Sequence, residues 1–225
     1  VTDMQASLFP IAQDNLSLVH PQARRSVFWE LEATAVAAVE KSGHPEFEKE
    51  AWLSTTLFEQ KTCGYSIGYL NPDPIPSAPA ISTVLYCLRD YAPGAATLPT
   101  APVSKDAALI TSLFIDEVFR GVGMEAVLLD AALVDLIKME VPAVEAFGIR
   151  DLKINGSIGL DPTVREIAAQ RNRIGLIEVE MLESAGFEVV ADHPVLPRLR
   201  MEMPPQDPLM SAMEAQLLLA SVEVH

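Results

Sequence analysis

Over residues 33–60 apolar positions recur three and four apart, interrupted at Ser42-Gly43-His44-Pro45. Glycine ends one helix and proline opens the next, so the pattern predicts two helices there. Ser26 to Leu31 (SVFWEL), Cys63 to Leu70 (CGYSIGYL) and Ile81 to Arg89 (ISTVLYCLR) are short runs rich in aromatic and β-branched residues, which predicts strands. A proline-rich connection, NPDPIPSAPA, joins the last two, and a long loop with three prolines follows at 90–106. Ala107 to Ile115 (AALITSLFI) is apolar throughout, as suits a strand buried on both faces. After a short polar turn from Asp116 to Val122, residues Gly123 to Lys138 are apolar on nearly every side except at Glu125, Asp130 and Asp135, which predicts a helix enclosed by protein. Val141 to Ile149 reads as the next strand. Asp161-Pro162 opens a helical stretch to Ser184, and two short strands follow Gly186-Phe187, at Glu188 to Ala191 and Arg198 to Met203. Residues 1–22 lack a period and read as an irregular N-terminal arm. The tail over 204–225 has helical spacing at Leu209, Met213, Leu217 and Ala220, and its apolar face needs cover, from the same domain or from a homodimer partner. No repeat at a fixed period occurs.

Composition narrows the classes. A chain of 225 residues with 49% hydrophobic and 21% charged residues suits one large globular domain. Sixteen Lys and Arg against thirty-one Asp and Glu leave a net charge of −15, which repels a polyphosphate backbone and argues against nucleic acid as partner. The longest apolar stretch carries three carboxylates, so no membrane span is expected. Two distant cysteines and the lack of an opening export segment suggest a reducing cytoplasm. The four histidines have no ligand spacing, so no metal site is expected.

The informative segment is the strand, turn and helix from Leu109 to Lys138. Arg120-Gly121-Val122-Gly123 gathers backbone amides at the start of a helix, where free N–H groups and the aligned peptide dipoles favour an anion such as a pyrophosphate. At these residues the sequence resembles the GNAT superfamily of N-acetyltransferases, whose acetyl-CoA signature runs Gln or Arg, two residues, Gly, one residue, Gly or Ala, between a strand and a helix. Arg120, Gly123 and Glu125 occupy the three places; Glu125 departs from the pattern by putting a long carboxylate where the family has almost no side chain. The ending MLESAGFEVVADHPVLPRLRMEM is similar too, so the likeness runs from Ser26 to Met203. It implies an α/β (α+β) domain over residues 23–203 with a mixed central β-sheet flanked by helices on both faces, acetyl-CoA as acyl donor, and an amine acceptor that the sequence does not specify. It further implies that the backbone of Leu113, Phe114 and Ile115 pairs with the pantetheine arm, and that Arg120, Gly121, Val122, Gly123, Met124 and Glu125 wrap the pyrophosphate.

Gly121 to Ala126 also fits the relaxed dinucleotide pattern G-x-G-x-x-G/A, with Glu145 about twenty residues on as a ribose ligand. Against it, Asp116 to Arg120 separate the strand from the first glycine, and Glu145 lies inside its strand. For amine acylation the nearest candidate bases are Asp116, at the end of its strand, and Glu145 on the neighbouring one. The family resemblance implies that a backbone N–H near Phe114 or Ile115 polarises the thioester carbonyl. The family's usual proton donor is a tyrosine four residues before the glycine of the Gly-Phe pair; that place is Leu182 here. Tyr86 and Tyr91 are substitutes by sequence position, Cys87 reads as a buried thiol, and Arg165, Arg171 and Arg173 line the acceptor side or coat a surface helix. An acyl-CoA-binding protein of the same fold without catalysis is the alternative, kept open by Glu125 and Leu182.

Overall fold

The computed structural model describes residues 5–70, 78–150 and 161–222. Among the described residues eight strands form one mixed sheet: β1 (Gln5–Pro10), β2 (Gly64–Leu70), β3 (Ser82–Leu88), β4 (Ala107–Ile115), β5 (Ala143–Ile149), β6 (Ile177–Glu178), β7 (Glu188–Ala191) and β8 (Arg198–Glu202). Their order is β1-β2-β3-β4-β5-β8-β7, with β6 on β5. β4 and β5 run parallel, as do β5 and β6, and the other pairs are antiparallel. The helices are α1 (Pro21–Arg25), α2 (Ala33–Ser42), α3 (Pro45–Gln60), α4 (Met124–Lys138), α5 (Pro162–Ala169), α6 (Arg171–Ile174), α7 (Val179–Ser184) and α8 (Ala212–Ala220).

Alternation along the strands builds a core on each face. Val84, Tyr86, Ala108, Ile110, Val144 and Ala146 meet the apolar side of α4, with α7 and α8 beside it. Cys87, Leu109 and Phe147 face the opposite way, toward Trp29, α5 and α6, while Leu85 and Phe114 meet α1 and α3. The fold is therefore the expected mixed sheet with helices on both faces. Local rules account for the helix ends: proline stands at the start of α1, α3 and α5, Gly43 ends α2 at φ 82°, and Ser211 and Glu214 form a capping box on α8.

Several expectations are corrected. The arm over residues 1–22 contributes β1, an edge strand paired with β2, as well as α1. Its polar and apolar mixture is what an edge strand shows. Ser26 to Leu31 is no strand. Phe28 and Trp29 fold against the loop at 92–98, where the Gly94 amide donates to the Trp29 carbonyl at 3.1 Å and a Cβ on Gly94 would lie 1.7 Å from the Phe28 oxygen. Burial of aromatics, not strand pairing, explains that composition. The helix expected from Asp161 to Ser184 is broken into α5, α6, β6 and α7, because Gly175 turns the chain at φ 68° and sends it across the sheet. The tail's α8 packs on β1 of its own domain, with Ala215 and Leu219 buried. Most of the proline-rich connection at 71–80, and residues 151–160 before α5, lie outside the described residues. Among the described residues no helix is long and apolar enough to cross a membrane.

Candidate functional site

The parallel ladder between β4 and β5 ends at Ile110 with Ala146, yet both strands continue, β4 to Ile115 and β5 to Ile149. Between their diverging ends is a cavity of 240 Å³. Leu113, Phe114 and Ile115 wall it on one side, Arg120, Gly121 and Glu125 at the start of α4, and residues 171–172 and 175–178 opposite. Six of the nine residues expected at a donor site thus meet around one space. The other three do not line it. Met124 is buried in the core under Ser82, Gly123 turns the position of its absent Cβ to within 3.0 Å of Leu218, and Val122 is turned outward and exposed.

The amide directions along β4 determine what the cavity can bind. Asp116 N–H donates to the Ile81 carbonyl at 2.9 Å, so by the antiparallel alternation Phe114 also points its amide at β3, and Leu113 and Ile115 point theirs the other way. Of the two donors considered for a carbonyl, Ile115 is the one directed to the cavity. The Leu113 amide is already used: it donates to the Gly175 carbonyl at 2.9 Å. The segment around Gly175 therefore takes, at Leu113, the place of an added strand beside β4. Trp29 anchors it from below by donating its indole N–H to the Ile174 carbonyl at 2.7 Å. At the mouth of α4, the Gly121 amide donates to Glu125 Oε1 at 2.8 Å, so the long side chain at the third signature place points into the loop, not away from it. Arg120 reaches Asn172 Oδ1 at 3.5 Å across the cavity. Arg120 and Arg171 have no carboxylate partner among the described ion pairs, whereas Arg173 pairs with Glu40 and Arg165 lies on α5 away from the lining. Glu125 and Glu178 are the carboxylates of the lining.

The candidate bases separate. Asp116 directly follows Ile115 but is not itself among the residues that line the cavity, and its half-exposed carboxylate accepts from His20 Nε2 at 3.0 Å. His20 is 2% exposed, stacks on Phe114 and accepts the Gln22 amide at Nδ1, which places the ring proton on Nε2. Burial lowers the His20 pKa below its ordinary 6.5 against the raising effect of Asp116, so the imidazole holds Asp116 as a neutral donor. Sequence reasoning missed this pair: its members are 96 residues apart and His20 lies in the supposed arm. The one local signal is His20-Pro21, a cap before a proline at the first helical position.

Glu145 does not reach the cavity. It is fully buried in β5, ion-paired to Arg198 and, at 3.4 Å, to Arg200, and it accepts the Ser104 amide at 3.1 Å. Burial opposes its ionisation, but the bonds from Ser104 and Arg198 win and hold its carboxyl below the usual range. Its carboxylate is thus engaged within the sheet, away from the cavity lining. Leu182 is buried against Gly148 and offers no proton. Tyr86 donates to Asp135 at 3.0 Å on the α4 face, opposite Ile110 and so short of the cavity, and burial pushes its pKa up. Tyr91 does not line the cavity either; its carbonyl accepts from Trp52. Cys87 is fully buried, and burial raises its thiol well above its ordinary value, which disfavours the thiolate.

Among solved structures, the chain is similar to PaiA N-acetyltransferase from Thermoplasma acidophilum in complex with coenzyme A, with a TM-score of 0.50 at 8% identity over 88% of this chain and 99% of that one. It is also similar to Ard1 from Thermoplasma volcanium (TM-score 0.44, 12% identity, 88% and 97% covered) and to the ribosomal-protein-S18-alanine N-acetyltransferase of Escherichia coli (0.42, 9%, 92% and 99%). The fold is that of the GNAT superfamily of N-acetyltransferases. No family model and no curated protein matches the sequence.

Proposed function

We propose that this protein is an acyl-CoA-dependent acyltransferase that moves the acetyl group of acetyl-CoA to an amine by direct attack. The observation that carries the reading is the cavity between the diverging ends of β4 and β5, walled by residues 113–115 and by the loop that opens α4. The PaiA structure with the same fold holds coenzyme A, which supports the same donor here. Arg120 and Arg171 supply the positive charge for its phosphates, on a chain that is otherwise strongly acidic. In the reaction the amine lone pair forms a bond to the thioester carbon, the Ile115 amide stabilises the oxyanion, and the C–S bond breaks as the tetrahedral species collapses. Asp116, aimed by His20, takes the proton of the amine, directly or through water. With Leu182 at the family's donor position, solvent protonates the departing thiolate, which leaves readily with a thiol pKa of about 8.5.

A second reading, an acyl-CoA-binding protein without turnover, would rest on the occupied Gly121 and Leu113 amides and on Leu182. The test is thermal unfolding with acetyl-CoA, CoA and NAD, followed by thiol release across amino acids, polyamines and peptide N-termini. Stabilisation by acetyl-CoA with thiol release on addition of one amine supports transfer. Stabilisation without release supports the second reading, and no response to acetyl-CoA defeats both.

A further inference from the structure

We propose that Glu125 is a specificity-determining residue of the donor site: its carboxylate stands where the donor's diphosphate goes, so donor binding exchanges the protein's own anion for an external one. The inference rests on the acyl-CoA reading and concerns the same site.

Glu125 is in the first turn of α4, and helical side chains lean toward the N-terminus, so its carboxylate reaches back over the loop that precedes it. That loop is shaped by Gly121 at φ 75° and Gly123 at φ 93°, two left-handed residues around Val122 that turn the Gly121 amide inward. The amide meets Glu125 Oε1 at 2.8 Å, and the positive end of the α4 dipole favours the carboxylate there. Glu125 is 8% exposed and lines the cavity, so this is an interior contact of the site. The arginines beside it are not spent on it: Arg120 contacts Asn172, and neither Arg120 nor Arg171 is ion-paired to Glu125. The loop thus contains one internal anion, Glu125, with Glu178 elsewhere in the lining, and Arg120 and Arg171 are left for another. A diphosphate and this carboxylate repel each other at contact distance and compete for the same amide, so the side chain must turn out before the diphosphate can bind. A ligand lacking the diphosphate meets no such demand. Glu125 accordingly weakens CoA relative to pantetheine and narrows the difference between them.

The experiment is titration calorimetry of the wild-type protein, Glu125→Ala and Glu125→Gln with CoA and with pantetheine, after thermal unfolding has shown that each variant folds. Loss of competition for a charged hydrogen bond amounts to roughly a tenfold gain in affinity. That gain is expected for CoA with Glu125→Ala, a smaller one with Glu125→Gln, which keeps an acceptor for Gly121 without the charge, and none for pantetheine. Equal CoA affinity in all three proteins, weaker CoA binding in the variants, or an equal gain for pantetheine overturns the proposal and leaves the acyl-CoA reading standing. If Glu125→Ala does not fold, Glu125→Gln alone decides: its CoA affinity must rise while that for pantetheine does not. If neither ligand binds any of the proteins, the acyl-CoA reading itself fails.

Discussion

Replacing Gly175 by alanine tests how the cavity wall is built. Gly175 has φ 68°, a conformation that costs an L-residue about 1–2 kcal/mol. A Cβ there would lie 2.8 Å from the Phe114 ring and 2.8 Å from the Ser112 Cβ, closer than carbon atoms approach, and relieving such overpacking costs about 1–3 kcal/mol. The entropy lost by the unfolded chain offsets about 0.4–1 kcal/mol. The net expectation is a destabilisation of about 1–4.5 kcal/mol, read as a fall in the urea midpoint at unchanged slope. Because Phe114 and Ser112 lie on β4, the strain is relieved by lifting residues 174–176 off that strand, which frees the Leu113 amide from the Gly175 carbonyl. Hydrogen exchange at Leu113 should therefore accelerate more than at Ile110, where the β4–β5 ladder is intact. A midpoint shift worth less than about 0.5 kcal/mol, the scale of an ordinary surface substitution, would refute the reasoning, as would unchanged exchange at Leu113.

Glu145→Ala leaves Arg198 and Arg200 facing a buried vacancy and should cost about 3–5 kcal/mol in chemical denaturation. Since the Glu145 carboxyl is held below its ordinary value of 4.5, the stability it contributes is present above that pH and is lost as pH falls through the lower folded value; the acid limb of the stability profile should flatten in the variant. His20, with its pKa lowered from 6.5, has the corresponding histidine sign: the folded state binds fewer protons, so stability falls as pH drops below about 6.5. His20→Asn should remove that slope, and under the proposed function it should lower turnover while leaving acetyl-CoA affinity unchanged, as an equal loss of both would not.

Much of the architecture is a local matter and was readable along the chain. The apolar run from Ala107 to Ile115 is β4 to the residue, and the helix read from Gly123 to Lys138 differs from α4 by its capping glycine. Periodicity and glycine placement are properties of neighbouring residues, and they sufficed to mark the strand, loop and helix around which the cavity forms. Which groups are free to bind was not readable, because it depends on contacts between residues far apart in sequence. Leu113 is satisfied by Gly175, Asp116 is aimed by His20, and Glu145 is held by arginines more than fifty positions away. The burial of aromatics at Ser26 to Leu31 imitated a strand for the same reason, since side-chain composition reports enclosure and only the packed sheet determines who pairs with whom. Hydrophobic order along the chain set the framework; backbone amides and charges acquired their partners only when the chain closed on itself.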